Sequence, residues 1–250
     1  MHDGRFARIE RMIGSAGLRR LMGAHVVVVG LGAVGSYATE GLARAGVGHL
    51  RLVDFDEIRL SNINRQLYAL DSTVGRRKVE VAKERVKQIN PACEVEALGC
   101  FVHAETMETV LAGRVDLIID AIDSLSPKVE LLAAVRKRQL PIVSSMGAAL
   151  RTDPTSVRVG PLSEVHHCPL AAKIRKRLRK RDVPVDMTCV YSIEPVTHIP
   201  EEAIDREGLH AEETLDRGRK RRTLGSLPTL TGIFGLTAAN TAIRMMVGSS

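Results

Sequence analysis

Aromatic residues are scarce: the 250-residue chain has no tryptophan, three tyrosines and four phenylalanines, 3% in all. A core without large rings must be built from Val, Ile, Leu and Ala, the composition of parallel strands covered by helices, and an all-β sandwich is a poor fit. Cysteine is also sparse. Cys93, Cys100, Cys168 and Cys189 stand apart with no C-x-x-C pair, which argues against a zinc site and a secreted disulfide scaffold. His166-His167-Cys168 reads as loop, because three adjacent residues of an extended chain cannot all face one ion. The first 14 residues carry scattered charge and no long apolar run, so a reduced, cytoplasmic setting without export is expected. No internal repeat is evident.

The chain does have 44% apolar and 26% charged residues, which excludes disorder throughout and gives a sizeable core. Its length suits one domain, 1–250, with an N-terminal helical arm over 1–23. The formal charge of +7 favours polyanionic partners.

Residues 24–29 form a β-branched run, followed by a glycine turn. Val34, Ala38, Leu42 and Ala45 then recur at helical spacing. Strands are expected at 50–53, 94–98, 115–119 and 141–144, alternating with helices at 79–89, 104–112 and 127–138. This alternation predicts an α/β fold, a mostly parallel sheet with helices on both faces. Further strands are expected at 156–159 and 187–193, with a basic helix between them. Residues 196–224 are charged and poor in large apolar residues, and are expected to be a mobile loop. Residues 223–243 carry no charge, but five threonines, three glycines, Asn240 and Pro228 dilute their apolar character. The expectation is a buried closing helix over 225–250, or a subunit contact, without stable membrane insertion.

Gly30-x-Gly32-x-x-Gly35 lies between a strand and a helix, with Asp54 closing the next strand. Gly30 suits the tight turn, Gly32 the approach of phosphate to backbone, and Gly35 the close packing of helix on strand, while Asp54 suits ribose hydroxyls. This pattern indicates an adenosine nucleotide without choosing between NAD and ATP. Next come Asp54-Phe-Asp56, Ser61-Asn-Ile-Asn64-Arg65-Gln66 and Lys78. An NAD-dependent oxidoreductase has no use for Arg65 and Lys78 together. Splitting ATP between its α- and β-phosphates does, with Arg65 as a fork, Lys78 as a point charge, and Asn64 and Gln66 as neutral donors. Asp120 and Asp123, followed by Ser124, fall at the carboxyl end of a strand and suit Mg²⁺, although Asp123 could instead cap the next helix.

In this order the motifs resemble the ThiF/MoeB/E1-like superfamily, whose members adenylate carboxylates with ATP. The resemblance implies a Rossmann-like E1-type adenylation fold. It also implies that Asp54 holds ribose, Arg65 and Lys78 hold phosphates, and Asp123 places Mg²⁺ and the reacting groups. It implies a homodimer in which an N-terminal arginine, best matched by Arg8, reaches the partner's nucleotide. Superfamily members that activate sulfur-carrier proteins usually carry zinc-binding C-x-x-C pairs, which this chain lacks. The stretches 120–128, 142–149, 153–155, 169–173 and 189–194 are similar to the tRNA threonylcarbamoyladenosine dehydratase branch. That similarity implies ATP-dependent cyclisation of the modified nucleoside and leaves room for a sulfurtransferase-type protein partner.

The basic residues fit a tRNA independently. Lys173, Arg175, Lys176, Arg177, Arg179, Lys180 and Arg181 make seven of nine consecutive positions cationic, and Leu170, Ile174 and Leu178 form an apolar stripe that would hold the helix down. Arg217, Arg219, Lys220, Arg221 and Arg222 form a second cluster. Three competing readings remain: adenylation of a sulfur carrier's C-terminus, an NAD-dependent oxidoreductase, and a noncatalytic tRNA-binding protein. Cys189 is read as a buried strand residue, with a nucleophilic role as the alternative.

Overall fold

The computed structural model describes residues 4–196 and 224–248. Most of the expected loop at 196–224, and with it the second basic cluster, lies outside the described residues. Seven strands form one sheet: β1 (His25–Val29), β2 (His49–Val53), β3 (Glu94–Leu98), β4 (Leu117–Asp120), β5 (Ile142–Ser145), β6 (Val157–Pro161) and β7 (Thr188–Ser192). Their spatial order is β3-β2-β1-β4-β5-β7-β6, parallel except for the edge strand β6, which runs antiparallel to β7.

Strand β1 occupies the point where the strand order reverses, between β2 and β4. Val29 is in register with Val53 on one side and with Asp120 on the other. Open α/β sheets form their ligand crevice at such a point, outside the carboxyl ends of the strands. Side-chain alternation along β1 divides the core. Val26 and Val28 pack on the side of α2 (Gly35–Ala45), α3 (Lys78–Ile89) and α7 (Pro228–Val247), and Val27 and Val29 on the side of α5 (Leu125–Lys137) and α6 (Pro169–Arg179).

Two elements differ from the sequence expectation. Of the helix expected at 104–112, only the single turn α4 (Met107–Val110) forms. Thr106 Oγ1 accepts from the backbone N–H of His103 and donates to the carbonyl of Phe101, which keeps residues 103–106 as a separate turn. Helix α1 (Ala7–Met22) is broken at Gly14, where φ is 73°.

Helix α7 is long and apolar enough to cross a membrane, with a mean hydropathy of 1.2, yet it packs along α2, α1 and the sheet. Its glycines explain how. A Cβ at Gly235 would lie 2.3 Å from the carbonyl oxygen of Val34, and one at Gly41 of α2 would lie 2.9 Å from Ala239 Cβ. The two helices therefore meet backbone to backbone. The threonines cause no conflict: Thr241 Oγ1 donates to the carbonyl of Thr237 at 2.8 Å. Gly235→Ala should destabilise the protein by about 3 kcal/mol through overpacking and lower Tm by roughly 6–12 °C in calorimetry. An unchanged Tm would contradict the α2–α7 packing.

Candidate active site

The glycine turn leaves β1 at Gly30, whose φ of 89° suits glycine. Its N–H donates to the carbonyl of Val53 at 2.8 Å, and a Cβ there would meet the carbonyl oxygen of Ala121 at 2.9 Å. At Gly35 a Cβ would stand 1.7 Å from the carbonyl oxygen of Gly30, so α2 can start this close to β1 only from glycine. Gly32 is different. The nearest neighbour of a Cβ there is Gln66 Nε2 at 3.7 Å, which leaves the backbone open to an approaching phosphate.

Asp54 is buried at the end of β2. Its Oδ2 accepts from the N–H of Leu31 at 2.6 Å and its Oδ1 from the N–H of Asp56 at 2.9 Å. The carboxylate thus ties the glycine turn to β2 and keeps lone pairs for a ribose hydroxyl. Burial pushes its carboxyl above the ordinary range, against the pull of the Lys78 charge and these two hydrogen bonds.

Asp56 grips Lys78 twice. Its carbonyl accepts from the Lys78 N–H at 3.1 Å, and its Oδ2 meets Lys78 Nζ at 2.9 Å. The lysine side chain is only 6% exposed, so the ammonium is fixed at the mouth of α3 rather than trailing in solvent.

The loop over 55–76 is ordered by short 3-10 turns at Leu60–Asn62 and Asp71–Thr73 and by docking on α2. Ser36 Oγ accepts from the N–H of Leu67, and the Ser36 carbonyl accepts from Tyr68 Oη at 3.1 Å. This brings Gln66 beside the glycine turn. Arg65 Nη1 donates to the carbonyl of Ser61 and to Asn64 Oδ1, at 3.0 and 2.9 Å. Ser61 and Asn64 are exposed, and Gln66 is buried.

The two carboxylates after β4 are not equivalent. Asp120 is fully buried: Ser144 Oγ donates to its Oδ2 at 2.6 Å, and Lys128 Nζ lies 2.8 Å from the same oxygen. Asp123 is exposed on the turn beyond, and its Oδ1 accepts from Ser124 Oγ at 3.2 Å. Ser124 occupies the N-cap position of α5, the role weighed above for Asp123. A single exposed carboxylate suits Mg²⁺, which keeps several waters and takes its other ligands from phosphates.

Helix α6 buries Ala171, Ile174 and Leu178, while Leu170 is half-buried. Three cations in and just beyond it bond acceptors on other elements. Arg175 donates to the carbonyls of Leu162 and Val165, Arg177 to Ser126 Oγ at 2.9 Å, and Arg181 pairs with Glu130 at 2.6 Å. Lys173, Lys176, Arg177, Arg179, Lys180 and Arg181 are exposed, and Arg175 is half-buried. Arg8 is exposed near the start of α1. Cys168 caps α6, accepting the N–H of Ala171 on its sulfur. Cys189 is fully buried in β7, and burial pushes its thiol up to about 12, which leaves it protonated and a poor nucleophile at neutral pH.

Two residues had no role in the sequence reading. Lys128 falls on the same helical face as Leu131, Leu132 and Val135, at i, i+3, i+4 and i+7, and that spacing is a legible sign of a buried lysine. Arg151 is 2% exposed and donates to the carbonyls of Glu194 and His167, joining the segments after β7 and before α6. No local spacing announces a bond of that kind.

A Rossmann-like crevice with an open glycine turn, a buried carboxylate bonded to it and a lysine fixed beside it is the framework of a nucleotide-binding α/β protein. The chain belongs to the ThiF family, whose model matches residues 6–250. It is 44% identical over 189 residues to the tRNA threonylcarbamoyladenosine dehydratase of Bacillus subtilis, covering 76% of this chain and 74% of that one. Identity to the Escherichia coli enzyme of the same name is 35% over 259 residues, covering 98% and 94%. The crystal structure of E. coli tRNA N6-threonylcarbamoyladenosine dehydratase in complex with ATP superposes with a TM-score of 0.84 at 34% identity, covering 97% and 93% of the two chains.

Proposed function

We propose that the protein is a tRNA threonylcarbamoyladenosine dehydratase, which uses ATP to activate the carboxylate of the modified nucleoside and close it into a ring. What supports this reading is the likeness of the chain, over nearly its whole length, to a dehydratase crystallised with ATP, together with an open turn at Gly32, Asp54 bonded to that turn and Lys78 held by Asp56.

In the first step a carboxylate oxygen of the threonyl group attacks the α-phosphorus of ATP, and pyrophosphate leaves. Lys78, held by Asp56, and Arg65 offset the charge that develops on the departing phosphates. Asp54 and the turn at Gly32 orient the ribose and phosphates. Asp123 would hold Mg²⁺, which when bound neutralises phosphate charge. In the second step the carbamoyl oxygen attacks the acyl carbon and AMP departs with one of the original carboxylate oxygens. The nucleoside has then lost the elements of one water, and a proton is released. A homodimer that exchanges Arg8 between sites, and a cytoplasmic location beside the tRNA pool, complete the reading.

Mass spectrometry of nucleosides from tRNA carrying threonylcarbamoyladenosine, incubated with the protein, Mg²⁺ and ATP, should show loss of one water only when ATP is present. No loss in a protein that still binds ATP would redirect the search to a carrier-protein carboxylate. Substituting Lys173, Lys176, Arg179 and Lys180 together with alanine should weaken tRNA binding and reduce the slope of log K against log salt by about 3. An unchanged slope would put the RNA on another face.

A further inference from the structure

Lys128 lies wholly inside the protein, on the apolar face of α5, where an ammonium is expensive unless it is paired. Its partner, Asp120, is equally buried. Hydrophobic residues of similar volume often replace such a pair with no loss of stability, so stability alone is a weak account of it. The geometry gives a better one. Lys128 Nζ meets Asp120 Oδ2 at 2.8 Å and also donates to the carbonyl of Ile122 at 2.9 Å. Asp120 Oδ1 accepts from the N–H of that same Ile122 at 3.1 Å. The ion pair therefore holds both polar backbone groups of the residue that precedes Asp123. The residue before it, Ala121, donates its N–H to the carbonyl of Val29 and sets its own carbonyl against Gly30. Ser144 Oγ fixes Asp120 Oδ2 from β5 at 2.6 Å.

We infer that Lys128 is a positioning residue: together with Asp120 it holds the turn at Ile122 so that Asp123 stands in register with the glycine turn and the nucleotide. The inference rests on the proposed role of Asp123. Displacement of a reacting or metal-holding group by about 1 Å can lower a rate roughly 100-fold, so a buried pair that fixes one peptide has kinetic weight.

The test is the double variant Asp120→Asn/Lys128→Met, which removes both charges and leaves neither stranded. Its expected signature is folded protein with a KM for ATP within about threefold of wild type and kcat for dehydration lowered about 30-fold. Amide exchange over 121–124 should quicken about tenfold while β1 stays protected. A folded variant with kcat within about threefold of wild type, or with unaltered exchange over 121–124, overturns the inference. If the double variant does not fold, Lys128→Gln decides the matter, because it keeps a buried donor beside Asp120 but is too short to reach the carbonyl of Ile122 as well. It should lower kcat about fivefold at unchanged KM, and wild-type kcat in that variant overturns the inference. Asp123→Asn separates the two readings. Wild-type turnover there defeats the role given to Asp123 and the inference with it. An inactive Asp123→Asn beside a fully active double variant defeats the inference about Lys128 alone.

Discussion

No methyl group fits between Gly35 and the carbonyl of Gly30, or between Gly30 and the carbonyl of Ala121. This close approach of three backbone segments, the end of β1, the start of α2 and the turn after β4, sets the geometry of the crevice. It starts α2 directly behind the glycine turn, where the N–H of Ser36 donates to the carbonyl of Gly32 at 3.0 Å. It also brings the turn carrying Asp123 against the turn carrying Gly32. Polar groups that join the same backbone then lock the arrangement: Asp54 bonds the N–H of Leu31, and Asp120 with Lys128 bonds both polar groups of Ile122.

Helix α7 answers the same constraint from behind. Because α2 is pressed toward the sheet, the space at its back suits only a helix that comes backbone to backbone, and Gly235 and Gly41 provide for that. The apolar residues of α7 that pack there, Leu230, Phe234, Ala238, Ala239 and Ala242, are buried, whereas Leu236 stays exposed. The charged side chains gather elsewhere, most densely over 173–181, where Arg175, Arg177 and Arg181 bond acceptors on other elements and every cation but Arg175 is exposed.

Much of this was legible in the sequence, for identifiable reasons. The strands and the glycine turn declared themselves because their signals are local: β-branched runs, 3.6-residue spacing and G-x-G-x-x-G. The basic helix was visible in its charges and apolar stripe. What local spacing could not convey was direction. Asp120 and Asp123 look alike in the chain, yet a three-residue step past the end of a strand turns one carboxylate into the core and leaves the other at the surface. The bonds that Arg175, Arg177 and Arg181 make to acceptors on other elements were hidden too, although Arg177 and Arg181 stay exposed. The order in the loop over 55–76 was hidden as well, because it depends on Ser36, some 30 residues earlier, accepting from Leu67 and Tyr68.

The central claim is that a carboxylate attacks the α-phosphorus in this crevice. The most direct test is a single turnover on tRNA whose threonylcarbamoyladenosine carboxylate carries oxygen-18 at both oxygens, followed by mass spectrometry of the released nucleotide. Adenylation predicts AMP bearing one labelled oxygen, beside unlabelled pyrophosphate. Unlabelled AMP, or label in inorganic phosphate beside ADP, would contradict it.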